Sequence, residues 1–285
     1  MTIRVKQACI IGVGLLGASM GLALKQRGIA AEIIGVGRSR ESLDTALQRG
    51  AIDHIASDIK EATAATDLIC IAAPAGSVTS ILDVVMTTTT VHAVIFDVAS
   101  VKKHICNHAR THYQAPRRFV GCHPMAGGEN FGPAHASPDL YADSVCLVEQ
   151  DDTIDPDAKK LVSALWHAIG ARVVDIDPAL HDGILAATSH APHVAAAVLA
   201  LIASDSGATR VFIGNGFRDT TRIAASRPEL WRDICMENRD ALCYSLGEMR
   251  KQIEQVESLL KNGNTAALEQ FFEAAAAGRR RIMES

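Results

Sequence analysis

Short apolar runs alternate with segments of helical spacing over the first 177 residues of the chain. Apolar, β-rich runs at 4–13, 32–36, 67–73, 93–98, 118–123, 144–148 and 172–175 read as strands. Between them, 18–27, 43–49, 78–86 and 101–113 repeat apolar residues at helical intervals, with Gly28 and Gly50 as stops. Strands that alternate with helices need crossover connections, which predicts a doubly wound, mostly parallel sheet. Beyond Asp177 the alternation ceases. Residues 178–204 form one long helical pattern, to be kinked or divided by Pro192. A glycine-containing break at 207–216 precedes helices at 217–225, 230–261 and 265–281; Asn262-Gly263-Asn264 separates the last two. Two domains follow: 1–177, a Rossmann-type α/β half, and 178–285, all helical. A helical layer without a sheet of its own buries its apolar faces against a second copy, so a homodimer is expected.

Composition narrows the class. Apolar residues make up 48% and charged residues 21% of the 285, enough for a packed core and against disorder. A net charge of −4 offers no basic field for nucleic acid. Seven scattered cysteines without a C-x-x-C suggest neither a disulfide framework nor a zinc site. No signal peptide is evident, and no apolar run is long and clean enough for a membrane span; 191–203 reads as a buried helix. The default setting is the cytoplasm.

Gly12-x-Gly14-x-x-Gly17 lies between the first strand and the first helix, with Leu15 and Leu16 inside the turn. In that context the glycines allow a tight turn, close approach of a pyrophosphate and close helix packing. The helix N-terminus then supplies amide donors. Ala73 and Pro74, closing the third apolar run, complete the cofactor-binding set. At the end of the second strand, where a carboxylate would bind the ribose of NAD, stands Gly37, followed by Arg38, Ser39 and Arg40. Two arginines and no carboxylate favour a 2′-phosphate, hence NADP over NAD. Glu32 is acidic but lies at the wrong end of that strand.

The candidate chemistry is at His123, in Gly121-Cys122-His123-Pro124-Met125-Ala126-Gly127-Gly128-Glu129, and at Ser100, in Asp97-Val98-Ala99-Ser100-Val101-Lys102. Both segments follow apolar runs, which places them at strand carboxyl ends facing the ligand crevice. A histidine there suits proton transfer, and the serine is placed to orient it. Lys102 has two open roles, donor to backbone or to phosphate. His104, His108 and His112 fall at helical spacing and read as a partly exposed face.

These segments, with Thr188-Ser189-His190-Ala191-Pro192-His193, Phe217-Arg218-Asp219-Thr220-Thr221-Arg222-Ile223-Ala224 and Trp231-Arg232-Asp233-Ile234, resemble the prephenate and arogenate dehydrogenases of tyrosine biosynthesis. The resemblance implies a Rossmann domain joined to a helical dimerisation domain. It also implies oxidative decarboxylation of a cyclohexadienol: hydride to the nicotinamide, loss of the hydroxyl proton, and release of carbon dioxide as the ring becomes aromatic. No metal is required. By matching position, His123 accepts the hydroxyl proton and Ser100 orients His123 and the hydroxyl. Arg222 binds a substrate carboxylate, and Asp219, Glu129 and Trp231 belong to a polar network near the substrate, partly across the dimer. Of His190 and His193, which share a helix face, His193 is preferred as a pocket residue; packed, satisfied histidines are the alternative, and a zinc pair lacks a third ligand. The chain ends soon after the last helix, so feedback inhibition by tyrosine, if present, would have to act at the active site itself. Two competing readings are a β-hydroxyacid or imine reductase and a dinucleotide-sensing protein without turnover. The hydroxyacid enzymes rely on a lysine in the second domain, and no lysine lies between Lys160 and Lys251.

Overall fold

The computed structural model describes residues 3–128 and 130–284. Strands β1 (Val5–Ile11), β2 (Ala30–Val36), β3 (His54–Ile55), β4 (Leu68–Ile71), β5 (Val94–Asp97) and β6 (Phe119–Val120) form one sheet. All pairings in it are parallel, in the order β3-β2-β1-β4-β5-β6. Helices α1 (Leu15–Gln26), α2 (Arg40–Gln48), α3 (Ile59–Thr63), α4 (Val78–Thr88) and α5 (Lys103–His112) connect the strands. Strand β1 shows why both faces are covered: Ala8 and Ile10 enter one apolar core with Phe96 and Trp166, while Cys9 and Ile11 enter the other with Val78 and Ile105. Strands buried on both sides are written as continuous apolar runs, as these are.

The register aligns Val36, Ile11, Ile71 and Asp97 side by side. The loops that carry Gly12, Arg38, Ala73 and Ser100 therefore leave the sheet along one edge. The strand order reverses between β1 and β4, where such folds open a ligand crevice.

The single strand expected at 118–123 is two. Gly121 separates β6 from β7 (Cys122–Pro124), which joins a second sheet with β8 (Val145–Glu149) and β9 (Arg172–Ile176). Strand β7 runs antiparallel to β8, and β8 parallel to β9. The Gly121 N–H donates to Glu149 Oε2 at 3.1 Å, and a Cβ at this position would lie 2.6 Å from Cys106 Sγ. Glu149 is buried and accepts two hydrogen bonds from Arg117, at 2.6 and 3.1 Å. His123 is thus held inside β7, not at the carboxyl end of a parallel strand. Helix α6 (Pro156–Ala168) follows β8, with Asp155 Oδ1 accepting the Ala158 N–H at its N-cap; it was not expected.

The run expected as one kinked helix at 178–204 is α7 (Pro178–Leu185), a π turn (Ala186–His190) and α8 (Ala191–Asp205). The wide turn precedes Pro192, whose ring and missing N–H are incompatible with a regular turn. This 28-residue stretch is long and apolar enough to cross a membrane by length and composition alone, with mean hydropathy 1.5. Its inner side carries the buried His181, Asp182 and His190, however, and belongs to the fold. Its outer side is not buried as expected: Val198, Leu199, Leu201 and Ile202 are exposed. Helix α9 (Asn215–Thr221) passes into a 3₁₀ turn (Arg222–Ala225), and α10 (Pro228–Glu237) follows.

The expected helix 230–261 is interrupted at Asn238, whose φ of −110° and ψ of 30° end α10. Helices α11 (Arg239–Lys261) and α12 (Thr265–Glu284) come after it. Compactness divides the chain at this point, into Met1–Asn238 and Arg239–Ser285. The reason is local: α7 and α10 pack against α5 and the loop after β4, so 178–238 forms one body with the sheet. In the second unit α11 and α12 make a hairpin around Gly263, at φ +63°.

Candidate active site

The glycine turn is shaped for a dinucleotide. Gly12 has φ of +98°, and a Cβ there would meet the Ala72 carbonyl oxygen at 2.4 Å. A Cβ on Gly17 would meet the Gly12 oxygen at 2.0 Å, so α1 packs directly on the turn. Gly14, by contrast, faces open space: no heavy atom lies within 4 Å of its would-be Cβ. Two glycines are required by the protein and the third leaves room, which fits a pyrophosphate seated at the first turn of α1 beside Leu15 and Leu16. Ala73 and Pro74 follow β4 on the same edge, with Pro74 entering a 3₁₀ turn (Ala75–Ser77).

A cleft of about 670 Å³ opens at the end of β2, lined by Gly37, Arg38, Arg40, Ile55 and Ser57 among others. Ser39 Oγ caps α2 by accepting the Ser42 N–H at 3.2 Å. Arg40 donates from Nε to Asp44 at 3.0 Å, while Arg38 is exposed and has no ion-pair partner among the described residues. Glu32 accepts from Gln7 at 2.6 Å and faces His54 at 2.8 Å, at the far end of the strand.

His123 lines a second cleft, of about 480 Å³, with Pro124, Met125, Ala126, Gly127, Leu140 and Ser144. The Cys122 N–H beside it donates to Asp97 Oδ1 at 3.0 Å, which ties β7 to the end of β5. Asp97 also forms a fully buried ion pair with the Lys102 ammonium. Burial disfavours that ammonium, but Asp97 holds it, and the net direction of the Lys102 pKa is upward. The Lys102 Nζ donates to this carboxylate, a partner outside the two roles the sequence left open. The His123 ring is 7% exposed. Burial drives its pKa well below the ordinary histidine value, and the nearby Lys102 ammonium pushes it the same way. At neutral pH it is therefore an uncharged imidazole with a lone pair to offer.

Ser100 was expected to orient this ring. Among the described residues no hydrogen bond joins the two; the ring partner is His181, with 2.9 Å between His123 Nδ1 and His181 Nε2. Ser100 lies half-buried between β5 and α5. His181 and Asp182 were not among the expected residues. They form an unremarkable Leu-His-Asp-Gly stretch of α7, and the only signal was a cap: Asp177, accepting from the Ala179 and Leu180 amides, starts the helix that carries them.

His190, His193 and Trp231 come together. The His193 ring stacks on Trp231 with centroids 3.3 Å apart and an angle of 13° between planes, and His190 meets the same indole edge-on at 6.1 Å. Asn238 Nδ2 donates to His190 Nδ1 at 3.0 Å and to the Asp182 carbonyl at 2.8 Å. Burial lowers the pKa of His190 to about 4 and that of His193 in the same direction. Asp219, on α9, and Arg222, in the turn after it, are exposed on elements that pack along α8. Glu129 lies outside the described residues. On α5, His108 is 2.8 Å from Asp83 and stacks on His112, while His104 is exposed.

Comparison with known proteins agrees with this geometry. Residues 20–175 match the family model for the nucleotide-binding domain of prephenate dehydrogenase, and 177–274 match the model for its dimerization domain. Prephenate dehydrogenase of Bacillus subtilis (strain 168) is 30% identical over 271 residues, 93% of this chain and 73% of its own. Cyclohexadienyl dehydrogenase of Zymomonas mobilis is 30% identical over 243 residues, 83% of this chain and 82% of its own. Among solved structures, prephenate dehydrogenase from A. aeolicus in complex with hydroxyphenyl propionate and NAD+ superposes with a TM-score of 0.88 at 27% identity, covering 99% of this chain and 100% of that one. Sequence, strand order and site geometry lead to the same place: the chain belongs to the prephenate dehydrogenase family.

Proposed function

We propose that the protein oxidises and decarboxylates prephenate, arogenate or both, with a nicotinamide dinucleotide as co-substrate. The observation that carries this reading is His123: a buried, uncharged imidazole lining a cleft, in a fold whose first turn has the space and the amides for a pyrophosphate. When bound, the nicotinamide supplies the hydride acceptor. His123 takes the hydroxyl proton as the carbinol becomes a carbonyl-like centre, which a neutral base with a depressed pKa does without first losing a proton of its own. Ser100 lies on the loop after β5 and hydrogen-bonds the same hydroxyl. Arg222 binds a substrate carboxylate; Asp219, Glu129 and Trp231 belong to a polar network near the substrate, partly across the dimer, and His193 is the preferred pocket residue. Loss of the ring carboxylate as carbon dioxide and aromatisation supply the driving force, so the base has only to accept one proton.

NADP is the preferred dinucleotide. Support comes from the end of β2, where Gly37 replaces a carboxylate, Glu32 is engaged with Gln7 and His54, and Arg38 faces the cleft. A guanidinium suits a 2′-phosphate. Two copies associate through the helical part, as the apolar outer side of α8 suggests.

One experiment tests the core of this reading. Turnover is measured at the nicotinamide absorbance band with prephenate and with arogenate, each with NADP and NAD. We expect turnover with at least one substrate and a higher kcat/KM with NADP. His123→Asn lowers kcat by about 10²–10⁴-fold while dinucleotide affinity holds. Wild-type turnover in that variant removes His123 from its role.

A further inference from the structure

The base is not alone in the core. His123 Nδ1 lies 2.9 Å from His181 Nε2, and His181 Nδ1 lies 2.7 Å from Asp182 Oδ1. His181 is fully buried and Asp182 1% exposed. Asp182 also caps the start of α5: its Oδ1 accepts the Lys102 N–H at 2.8 Å and its Oδ2 the Lys103 N–H at 3.0 Å. Every one of these contacts to Asp182 comes from a donor, or from a ring nitrogen able to donate.

With His181 uncharged, that arrangement leaves one consistent set of protons. Facing a carboxylate oxygen, His181 Nδ1 must donate. A neutral His181 then has its lone pair on Nε2. His123 Nδ1, 2.9 Å away, must therefore donate to it, and the acceptor of His123 is Nε2. From these contacts we infer that Asp182 and His181 are positioning residues that fix the tautomer of His123, through a carboxylate–imidazole–imidazole relay anchored on the first turn of α5. The inference rests on His123 being the proton acceptor of the proposed reaction. It explains why the ring can do without Ser100: its orientation is set from behind, leaving the serine hydroxyl for the substrate. The relay serves the charged form as well. Once His123 has taken a proton, its Nδ1–H still points into His181, with the Asp182 carboxylate one ring further on. A carboxylate that holds an imidazole in its useful tautomer is a known device in acyl transfer; here a second imidazole separates the two.

The charged and titratable groups around His123 are His181 from α7, His190 from the π turn and Lys102 from the start of α5. If the relay operates, replacing His181 by leucine removes an acceptor from the imidazolium. The ascending limb of kcat/KM then moves to lower pH. If His181 acted as a second positive charge, the limb would move to higher pH.

The test uses the full chain with ¹⁵N-labelled histidine, and His123→Asn identifies the His123 signals. In the wild type near pH 8, His123 is expected to carry its proton on Nδ1. In His181→Leu that preference is lost, kcat falls about 10²-fold with little change in KM, and the limb shifts downward. His181→Gln returns an amide oxygen to the acceptor position. It should keep the Nδ1–H tautomer and recover at least about tenfold of the lost kcat. Should the leucine variant fail to fold, the wild-type tautomer and the glutamine variant still decide. The relay is overturned by a wild-type proton on Nε2, by wild-type kcat in His181→Leu, by a glutamine variant no better than leucine, or by a limb that moves upward. Full turnover in His123→Asn is a different failure: it removes the base, whereas the tautomer is read without substrate.

Discussion

A histidine buried away from any direct carboxylate contact sheds its proton, and the fold then resists taking it back. His190 has a folded-state pKa of about 4 against 6.5 for the free side chain. Between those values the unfolded chain binds a proton that the folded chain does not. Stability therefore falls as pH drops through that window, by up to about 1.4 kcal/mol per pH unit for one such group. His123 acts in the same direction. Urea titrations from pH 7 to 4.5 should show the wild type losing stability more steeply than His190→Gln, whatever the offset between them at pH 7; parallel slopes would contradict the assignment. At this scale the sequence was legible where a residue belongs to a compact pattern. His123, His190, His193 and Trp231 are set in distinctive segments, and the structure brings the last three together around one indole. His181 and Asp182 were not legible, because their importance comes from contacts 58 and 80 residues away in the chain. No local spacing announces that.

Among elements, the β1–turn–α1 unit separates what the protein needs from what its ligand needs. Gly12→Ala places a side chain at φ +98° against the Ala72 carbonyl and should cost more than about 2 kcal/mol of stability. Gly14→Ala meets nothing within the protein at φ −74°, so stability should hold within about 0.5 kcal/mol while dinucleotide affinity drops at least about tenfold. Thermal denaturation and equilibrium dinucleotide binding on the two variants check both halves. A Gly14→Ala chain that binds normally would mean the pyrophosphate is held elsewhere. Most strands and helices were readable from periodicity, since a sheet covered on both faces is written in unbroken apolar runs. The failures have particular causes. Residues 118–123 look like one strand because nothing in that run shows that Glu149, far along the chain, will take the Gly121 amide. Residues 230–261 look like one helix because Asn238 is tolerable in a helix; it ends α10 where its side chain bridges His190 and Asp182. Helix α6 has a plain start signal in Asp155-Pro156, an N-cap followed by proline at the first helical position, but no apolar spacing as clear as that of its neighbours.

For the whole molecule, the outer side of α8 is the feature still to be covered. Leu201 is 64% and Ile202 61% exposed, with Val198 and Leu199 beside them. Contiguous exposed apolar surface on this scale marks an interaction site. Sedimentation equilibrium should give twice the chain mass for the wild type and a single chain for Leu201→Glu combined with Ile202→Glu. A variant that stays at twice the chain mass would move the interface elsewhere. The stacked pair of His193 and Trp231 has one more consequence, an optical one. The chain has two tryptophans, and Trp166 is sealed between Phe96 and Tyr141, so its fluorescence makes a constant background. Trp231 emits from beside the His193 imidazole, next to the proposed substrate site, so its intensity should follow ligand arrival there and brighten or dim with the charge of that ring. The protein carries its own dye: a titration in a cuvette can report occupancy without a label, and Trp231→Phe should silence it.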